Sequence, residues 1–178
     1  MANHALDAFL NDPDPAARRA EFLAFVGPRS EGFLHLYDYL VRHPESESTN
    51  RLGSGLAYNG FSAPAFFLGP VYFFYRKMWL WGTGYVIGLL ALAAYPLTSR
   101  VDIGLGIAMA LFTRWAYVHH AIRTITTLRS KASEIAPDDR QRFLDTLAQA
   151  GGVSWTAGWI SGVLFALALA LAVMQTLG

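Results

Sequence analysis

Three polar side chains in this sequence are of types that support acyl-transfer chemistry. They are Ser154, which follows Gly151-Gly152-Val153, and the adjacent residues His119 and His120. A serine nucleophile needs a base, most often histidine, within hydrogen-bonding distance. An intramembrane hydrolase that uses Ser154 is therefore one hypothesis. We rank it last, because two glycines followed by a serine also form an ordinary helix end and N-cap, and we expect no catalytic residue.

The sequence also argues against a metal site or a cofactor. His119 and His120 are neighbours, so on a helix they point about 100° apart and cannot face the same metal ion or haem. The chain has no cysteine, which excludes disulfides and thiolate metal sites. Its net charge of +1 provides no electrostatic basis for binding nucleic acid. We therefore expect no cofactor, no metal and no nucleic-acid partner.

Arg114 is the polar residue that we single out, because it interrupts an apolar stretch. An arginine inside a membrane-spanning segment costs about 2.5–3.5 kcal/mol unless it snorkels or is paired. Snorkelling to the nearer headgroups is the simpler interpretation. The alternative is a contact with a lipid phosphate or with a carboxylate of a partner subunit. In that case Arg76 and Lys77 would join it in the same leaflet and bind anionic headgroups.

The distribution of charge predicts an integral membrane protein. Apolar residues make up 53% of the chain and charged residues 15%, against about 25% charged in an average soluble domain. No Asp, Glu, Lys or Arg occurs in residues 78–99 or 146–178, and each stretch exceeds the ~20 residues that cross a bilayer. We predict an all-α fold in which the second span continues as one helix through Ile135. The three predicted transmembrane helices lie at about 78–98, 102–120 and 153–177.

Before the predicted membrane domain, residues 58–178, the sequence indicates a polar, mostly helical N-terminal segment, residues 1–57. Asp14 followed by Pro15 signals a helix start, and we expect that helix to end near Gly27. A second helix carries an apolar stripe at helical spacing: Phe33, Leu36, Tyr37, Leu40 and Val41. We expect the stripe to pack on the rest of the protein or on the membrane surface; a partner-binding groove is the alternative.

Residues 61–75 are apolar but unsuited to a continuous spanning helix. Gly69-Pro70 interrupts them, and a proline inside a helix costs about 3 kcal/mol. Ser62 is expected to cap a short helix that starts near Pro64. The aromatic side chains of the segment suit the headgroup level of a bilayer. We predict that this segment is interfacial or re-entrant.

The same region carries a family resemblance. Its sequence from Phe61 to Trp79, FSAPAFFLGPVYFFYRKMW, is similar to the hallmark of a bacterial inner-membrane family of unknown function, number 2628 in the domain-of-unknown-function series. Looser similarities occur at residues 27–37, 114–120 and 151–154. The chain has Ala63 where the family usually has Trp, so one aromatic anchor is missing. The resemblance implies a small bacterial inner-membrane protein and supplies no catalytic residue.

Basic residues orient the predicted spans. Arg76 and Lys77 precede the first span, whereas Arg100 is the only basic residue between the first two. Five basic residues lie between the second and third spans: Arg123, Arg129, Lys131, Arg140 and Arg142. Because cytoplasmic loops are enriched in Lys and Arg, we predict a multi-pass protein of the bacterial inner (cytoplasmic) membrane. Its N-terminus would be cytoplasmic and its C-terminus periplasmic.

Two pairs of glycines spaced four residues apart lie in the predicted spans. Gly84 pairs with Gly88 in the first, and Gly158 pairs with Gly162 in the third. Small residues at this spacing let two helices approach closely. We expect these glycines to serve packing within the protein; contact with a partner helix is the alternative.

These observations together favour a non-enzymatic accessory or scaffold subunit of a bacterial inner-membrane complex, respiratory or photosynthetic in type. Its expected partners are membrane lipids and that larger complex. The alternative is a lipid- or small-solute-interacting membrane protein built around Arg114 and residues 61–75.

Overall fold

The computed structural model of the protein describes residues 9, 12–28, 30–42, 60–93, 100–135 and 140–177. These residues form eight helices and no strand, so the prediction of an all-α fold is confirmed. The helices are α1 Pro15–Val26, α2 Glu31–Arg42, α3 Ala63–Leu68, α4 Pro70–Tyr75, α5 Trp79–Ala93, α6 Arg100–Ile135, α7 Arg140–Ala150 and α8 Trp155–Leu177.

The chain divides into two compact units. The first, which we call the polar unit, comprises residues 1–61 and 111–152, and the second, the apolar unit, comprises residues 62–110 and 153–178. Helix α6 contributes its first part to the apolar unit and the rest to the polar unit. The boundary that we predicted between residues 57 and 58 lies outside the described residues.

Helix α1 begins and ends where the sequence signals predict. The Asp14 side chain caps it by accepting the backbone N–H of Ala17 at 2.9 Å, and Pro15 occupies the first turn, where its missing N–H leaves no hydrogen bond unmade. At the other end, Gly27 adopts φ +81° and donates its N–H to the Leu23 carbonyl. Glycine takes this left-handed conformation without strain.

Helix α2 buries its apolar stripe inside the polar unit. The Tyr37 ring stacks on Phe22 with centroids 4.4 Å apart, and the Phe33 ring lies 4.5 Å from that of Tyr117. Leu36 and Leu40 are buried as well. Four of the five residues of the stripe therefore pack on the protein itself, as expected, and the fifth, Val41, is half-buried.

Helix α6 is one continuous helix of 36 residues, about 54 Å long at 1.5 Å per residue. This agrees with the prediction that the second apolar segment continues through Ile135. Its later part supplies much of the core of the polar unit with fully buried side chains, which include Ala116, Tyr117, Val118, Ala121, Ile122 and Ile125. Helix α7 packs on α1 and has Leu147 fully buried.

A close backbone contact joins the end of α7 to the end of α1. The Gly152 N–H donates to the Phe25 carbonyl at 2.7 Å, and Gly152 is left-handed with φ +65°. A Cβ at Gly151 would fall on that same carbonyl oxygen and within 2.8 Å of the carbonyl carbon. Only glycine fits at position 151.

Residues 61–75 contain two short helices and no continuous one. Helix α3 starts at Ala63, and Gly69 ends it with φ +51° before α4 begins at Pro70. Ser62 is the N-cap residue of α3, as predicted, but its hydroxyl makes no capping hydrogen bond in the described structure. Ser62 is buried and serves through its backbone, whose carbonyl accepts the Phe66 N–H.

One helical stretch among the described residues is long and apolar enough to cross a membrane. It falls within Arg140–Ala168. The polar helix α7 ends at Ala150. The apolar part of this stretch therefore belongs to α8, which has 23 residues. Helix α5 is apolar but has 15 residues, and residues 94–99 of the predicted first span lie outside the described part. The predicted count of three spans remains a prediction.

Candidate functional site

Helices α3 and α4 form a helical hairpin in the apolar unit, residues 63–75. Its first arm lies along α6, since the Ser62 N–H donates to the Ala110 carbonyl at 3.2 Å. Further along this arm, the Phe66 ring lies 3.5 Å from the place of a Cβ at Gly106. Residue numbers rise along α3 while they fall along α6, so the two helices are antiparallel.

The second arm of the hairpin lies antiparallel to α5. Near the start of α5, the Phe74 ring is 5.7 Å from Trp79, and two turns further on the Phe73 ring is 5.9 Å from Tyr85. The tip of the hairpin meets the same tyrosine, whose ring lies 3.8 Å from the place of a Cβ at Gly69. The hairpin thus reaches as far along α5 as Tyr85.

Helix α8 packs on the other side of α4, again antiparallel to it. Gly158 lies against Tyr75: a Cβ built at Gly158 would be 3.0 Å from the Tyr75 ring. A Cβ built at Gly162 would be 3.9 Å from the Val71 side chain. The Ser154 N–H donates to the Tyr75 carbonyl at 2.7 Å and ties the start of α8 to the end of α4. Since α5 and α8 both run against α4, they run in the same direction.

The other predicted pair of packing glycines, on α5, has different surroundings. Gly84 and Gly88 lie on α5, and no neighbouring side chain or helix of the described residues comes within 4 Å of the place of their Cβ atoms. Gly84 is also exposed. This face of α5 is therefore accessible to another helix, in contrast to the face of α8 that carries Gly158 and Gly162.

The hairpin ends in a tight turn that carries both predicted cations. The Met78 N–H donates to the Phe73 carbonyl at 2.9 Å and the Lys77 N–H to the Phe74 carbonyl at 3.0 Å, the two bonds of a Schellman helix end. Lys77 occupies its left-handed position with φ +58°, where glycine is usual. It is the one residue other than glycine with positive φ in the described part of the chain.

Tyr75 and Trp79 flank this turn in sequence, and Trp155 contacts Tyr75; we call these three residues the aromatic collar. The rings of Tyr75 and Trp155 meet edge to face with centroids 5.3 Å apart. Trp79 and Trp155 are the first residues of α5 and α8, and their side chains are 57% and 63% exposed. Arg76, which caps α4, is 8% exposed. The collar therefore marks one end of the apolar unit.

Arg114 lies in the polar unit, with its guanidinium against two glycines. Its Cζ is 3.5 Å from the place of a Cβ at Gly32, and its Nη1 is 2.9 Å from that at Gly60. Gly60 is left-handed, with φ +62°. The guanidinium therefore occupies space that these residues leave open by lacking a side chain. The lipid and partner roles that we predicted for Arg114 stay predictions.

The three residues of the hydrolase hypothesis have separate neighbours. The Ser154 hydroxyl accepts the Ala157 N–H at 3.3 Å, which is the N-cap role that the sequence also indicates. The His119 ring lies 4.1 Å from that of Trp115, whereas His120 lies edge to face with Phe25 at 6.2 Å. No group of three or more potential metal ligands occurs among the described residues.

The polar unit also contains an ionic cluster that sequence reasoning missed. Arg129 donates to Glu21 at 2.8 Å and to Asp12, and its guanidinium lies 5.3 Å from the Phe9 ring centroid. The backbone N–H of Asp14, followed by the Arg129 side chain, holds the pKa of Asp12 below its ordinary value of 3.8. The partners are 108 and 117 residues apart in sequence, so no local pattern indicates the cluster.

Comparison with known families supports the predicted resemblance. Residues 39–129 match the family model described as Protein of unknown function (DUF2628), and no curated protein and no solved structure gives a significant match. The matched region contains the hairpin, the turn at Arg76–Met78 and Arg114, and it covers more than half of the 178 residues. The chain therefore belongs to the DUF2628 family, whose function is unknown.

Proposed function

We propose that this protein is a non-enzymatic accessory or scaffold subunit of a bacterial inner-membrane complex, held in the bilayer by its apolar unit. The observation that carries the proposal is the distribution of exposed apolar side chains. Among the described residues, every large apolar side chain that is exposed belongs to the apolar unit except Phe61. Examples are Leu80 at 83% and Trp159 at 71% exposure.

A bilayer accounts for this distribution better than water does. Burying one large apolar side chain contributes about 1.5–3 kcal/mol, and soluble monomers seldom expose contiguous apolar patches of more than a few hundred Å². The polar unit keeps its large apolar residues inside and meets that expectation. The apolar unit avoids exposing its large apolar side chains to water only if hydrocarbon covers α5 and α8.

The directions of the helices support three spans, formed by α5, the first part of α6 and α8. Helices α5 and α8 run the same way and both begin at the collar, where Arg76 and Lys77 lie. If the collar marks the cytoplasmic interface, both helices run towards the periplasm. The N-terminus is then cytoplasmic and the C-terminus periplasmic.

The same frame makes the hairpin re-entrant. Tyr85 follows Trp79 by six residues, a rise of about 9 Å along a helix. The hairpin tip at Gly69, which packs on Tyr85, then lies about 9 Å below the collar, well short of a hydrocarbon core about 30 Å thick. The hairpin enters one leaflet and leaves again on the same side.

The accessory role rests on the open face of α5. Glycines four residues apart allow close approach of a second helix in lipid, where packing rather than the hydrophobic effect drives association. Gly158 and Gly162 already receive α4, whereas Gly84 and Gly88 receive no neighbour in the described structure. The proposal gives Ser154 a structural role, since its hydroxyl is engaged as an N-cap.

Purification from native membranes in mild detergent tests this function. We expect a defined membrane complex to co-purify with the wild-type chain and to be lost from Gly84→Leu, which blocks the open face. Ala166→Leu is the matched control, because it adds the same side chain at an exposed position of α8. If the wild type purifies alone, or if both variants retain the complex, the accessory role is wrong.

A further inference from the structure

Lys77 has a left-handed backbone conformation, which glycine adopts more easily than lysine. Its left-handed φ of +58° completes the Schellman end of α4, and glycine adopts this conformation without the steric conflict that a Cβ creates. A lysine there is strained relative to glycine, and such strain is typical of residues whose side chains serve a function. Because the backbone favours glycine at this position, the presence of a lysine indicates that its side chain has a function.

The neighbours of Lys77 indicate what that function is. It follows Arg76 directly and lies in sequence between two residues of the aromatic collar: Tyr75, whose ring meets Trp155, and Trp79, whose ring meets Phe74. Helices α5 and α8 begin at the collar, and helix N-termini carry partial positive charge. Two cations and two helix N-termini are thus concentrated at one end of the apolar unit.

We propose that Lys77, which follows the buried Arg76 and is framed by the aromatic collar, binds anionic phospholipid headgroups. Tryptophan and tyrosine rings prefer the headgroup level of a bilayer, and basic residues at that level attract anionic lipids. The inference rests on the proposed membrane insertion of the apolar unit and adds the class of lipid that its basic end selects.

Quenching of tryptophan fluorescence by brominated lipids tests the proposal. The full chain is reconstituted into two sets of vesicles with the same content of phosphatidylcholine and phosphatidylglycerol. A small, equal amount of brominated lipid is phosphatidylglycerol in one set and phosphatidylcholine in the other. Surface charge is then identical, and the ratio of quenching measures the enrichment of anionic lipid beside the five tryptophans of the chain, two of which, Trp79 and Trp155, belong to the collar.

Three variants assign the enrichment to Lys77. Lys77→Gly removes the cation while relieving the backbone, so it is expected to fold and to lower the ratio by a factor of up to about five, the contribution of one basic residue near a membrane surface. Lys77→Arg keeps the charge and should keep the ratio. Arg123→Gln removes an exposed cation of the polar unit and should leave the ratio unchanged.

The outcomes separate this inference from the proposed function. A ratio of one for the wild type, or the same ratio for Lys77→Gly, overturns headgroup binding while strong quenching by both lipids still supports insertion. Weak quenching by both lipids means that the collar is not in a bilayer, which overturns the proposed function and the inference with it. Raising the salt concentration should also lower a genuine enrichment, because exposed charges are screened.

Discussion

The carbonyl oxygen of Phe25 occupies the place where any residue other than glycine would carry its Cβ at position 151. The same oxygen accepts the N–H of Gly152, so it cannot move without breaking that hydrogen bond. This contact fixes the end of α7 against the end of α1 in the polar unit.

Gly151→Ala should therefore destabilise the polar unit by about 3 kcal/mol, the upper part of the range for overpacking. Backbone atoms, unlike the end of a flexible side chain, have little room to yield. The free energy of unfolding in urea, measured on the full chain in detergent, checks this. Gly84→Ala is the control, because its Cβ meets no neighbour in the described structure. Equal midpoints for Gly151→Ala and the wild type would contradict the close contact.

Acid should weaken the ionic cluster of Asp12, Glu21 and Arg129. The pKa of Asp12 is lowered in the folded protein, first by the Asp14 N–H and then by Arg129. Its contribution to stability is therefore complete above the unfolded value of 3.8 and is lost as the pH falls through the lower folded pKa. Stability should decline below about pH 4, where the carboxylate begins to take up a proton.

Asp12→Asn removes this titration and serves as the test. At neutral pH it should cost about 1.5–3 kcal/mol, as for a hydrogen bond to a charged group, and the pH dependence below pH 4 should become shallower. Asp38→Asn is the matched control, because its pair with Arg19 is more exposed and such pairs contribute about 0–1 kcal/mol. Identical pH profiles for wild type and Asp12→Asn would show that the cluster contributes nothing.

The proposed topology predicts a pattern of reporter activity. A reporter that is active only in the periplasm should be active when fused at residue 100 and after Gly178, and inactive at residue 130. The reason is the excess of basic residues at Arg76-Lys77 and at 123–142 over the single Arg100, since cytoplasmic loops are enriched in Lys and Arg. An inactive fusion after Gly178, with a stable fusion protein confirmed by immunoblot, would contradict a periplasmic C-terminus and with it three spans that follow a cytoplasmic N-terminus.

Local features of this fold were predictable because neighbouring residues determine them. Asp14-Pro15 starts α1, Gly69-Pro70 separates α3 from α4, and Gly151-Gly152 ends α7. In each case the signal is a missing donor, a missing Cβ or a side-chain acceptor within a few residues. Ser62 occupies the predicted N-cap position, but its buried hydroxyl, unlike the Asp14 carboxylate, makes no hydrogen bond to the helix N–H groups.

The rest required the three-dimensional arrangement. The spacing of Gly84 and Gly88 is the same as that of Gly158 and Gly162, yet one pair is open and the other packs on α4. Nothing in the local sequence of Lys77 indicates a left-handed backbone, since glycine is the residue that usually signals it. Arg129 forms its ion pairs with Asp12 and Glu21, which lie more than a hundred residues away in sequence.

The contact of Arg114 with Gly32 and Gly60 predicts that the guanidinium has a structural role that lysine cannot replace. Lysine has the same charge but lacks the planar group that fills the space between the two glycines. We expect Arg114→Lys to lower the free energy of unfolding by about 1 kcal/mol, the contribution of a typical buried polar contact. If Arg114 only snorkels, Arg114→Lys should leave the free energy of unfolding unchanged. The lipid-binding alternative is tested separately, by comparing the lipid that co-purifies with the wild type, Arg114→Lys and Arg114→Leu.

A double-mutant cycle isolates the contact between Arg114 and Gly60. Gly60→Ala should cost about 1–2 kcal/mol for the left-handed backbone, and more because its Cβ would lie 2.9 Å from Nη1 of Arg114. In an Arg114→Ala background only the backbone cost remains, so the two substitutions should couple by at least about 0.5 kcal/mol. Gly27→Ala is the matched control, because Gly27 is also left-handed but its Cβ would meet nothing within 4 Å in the described structure. The penalty at Gly27 should be the same with and without Arg114, and strict additivity at Gly60 would mean that the guanidinium does not rest on that glycine.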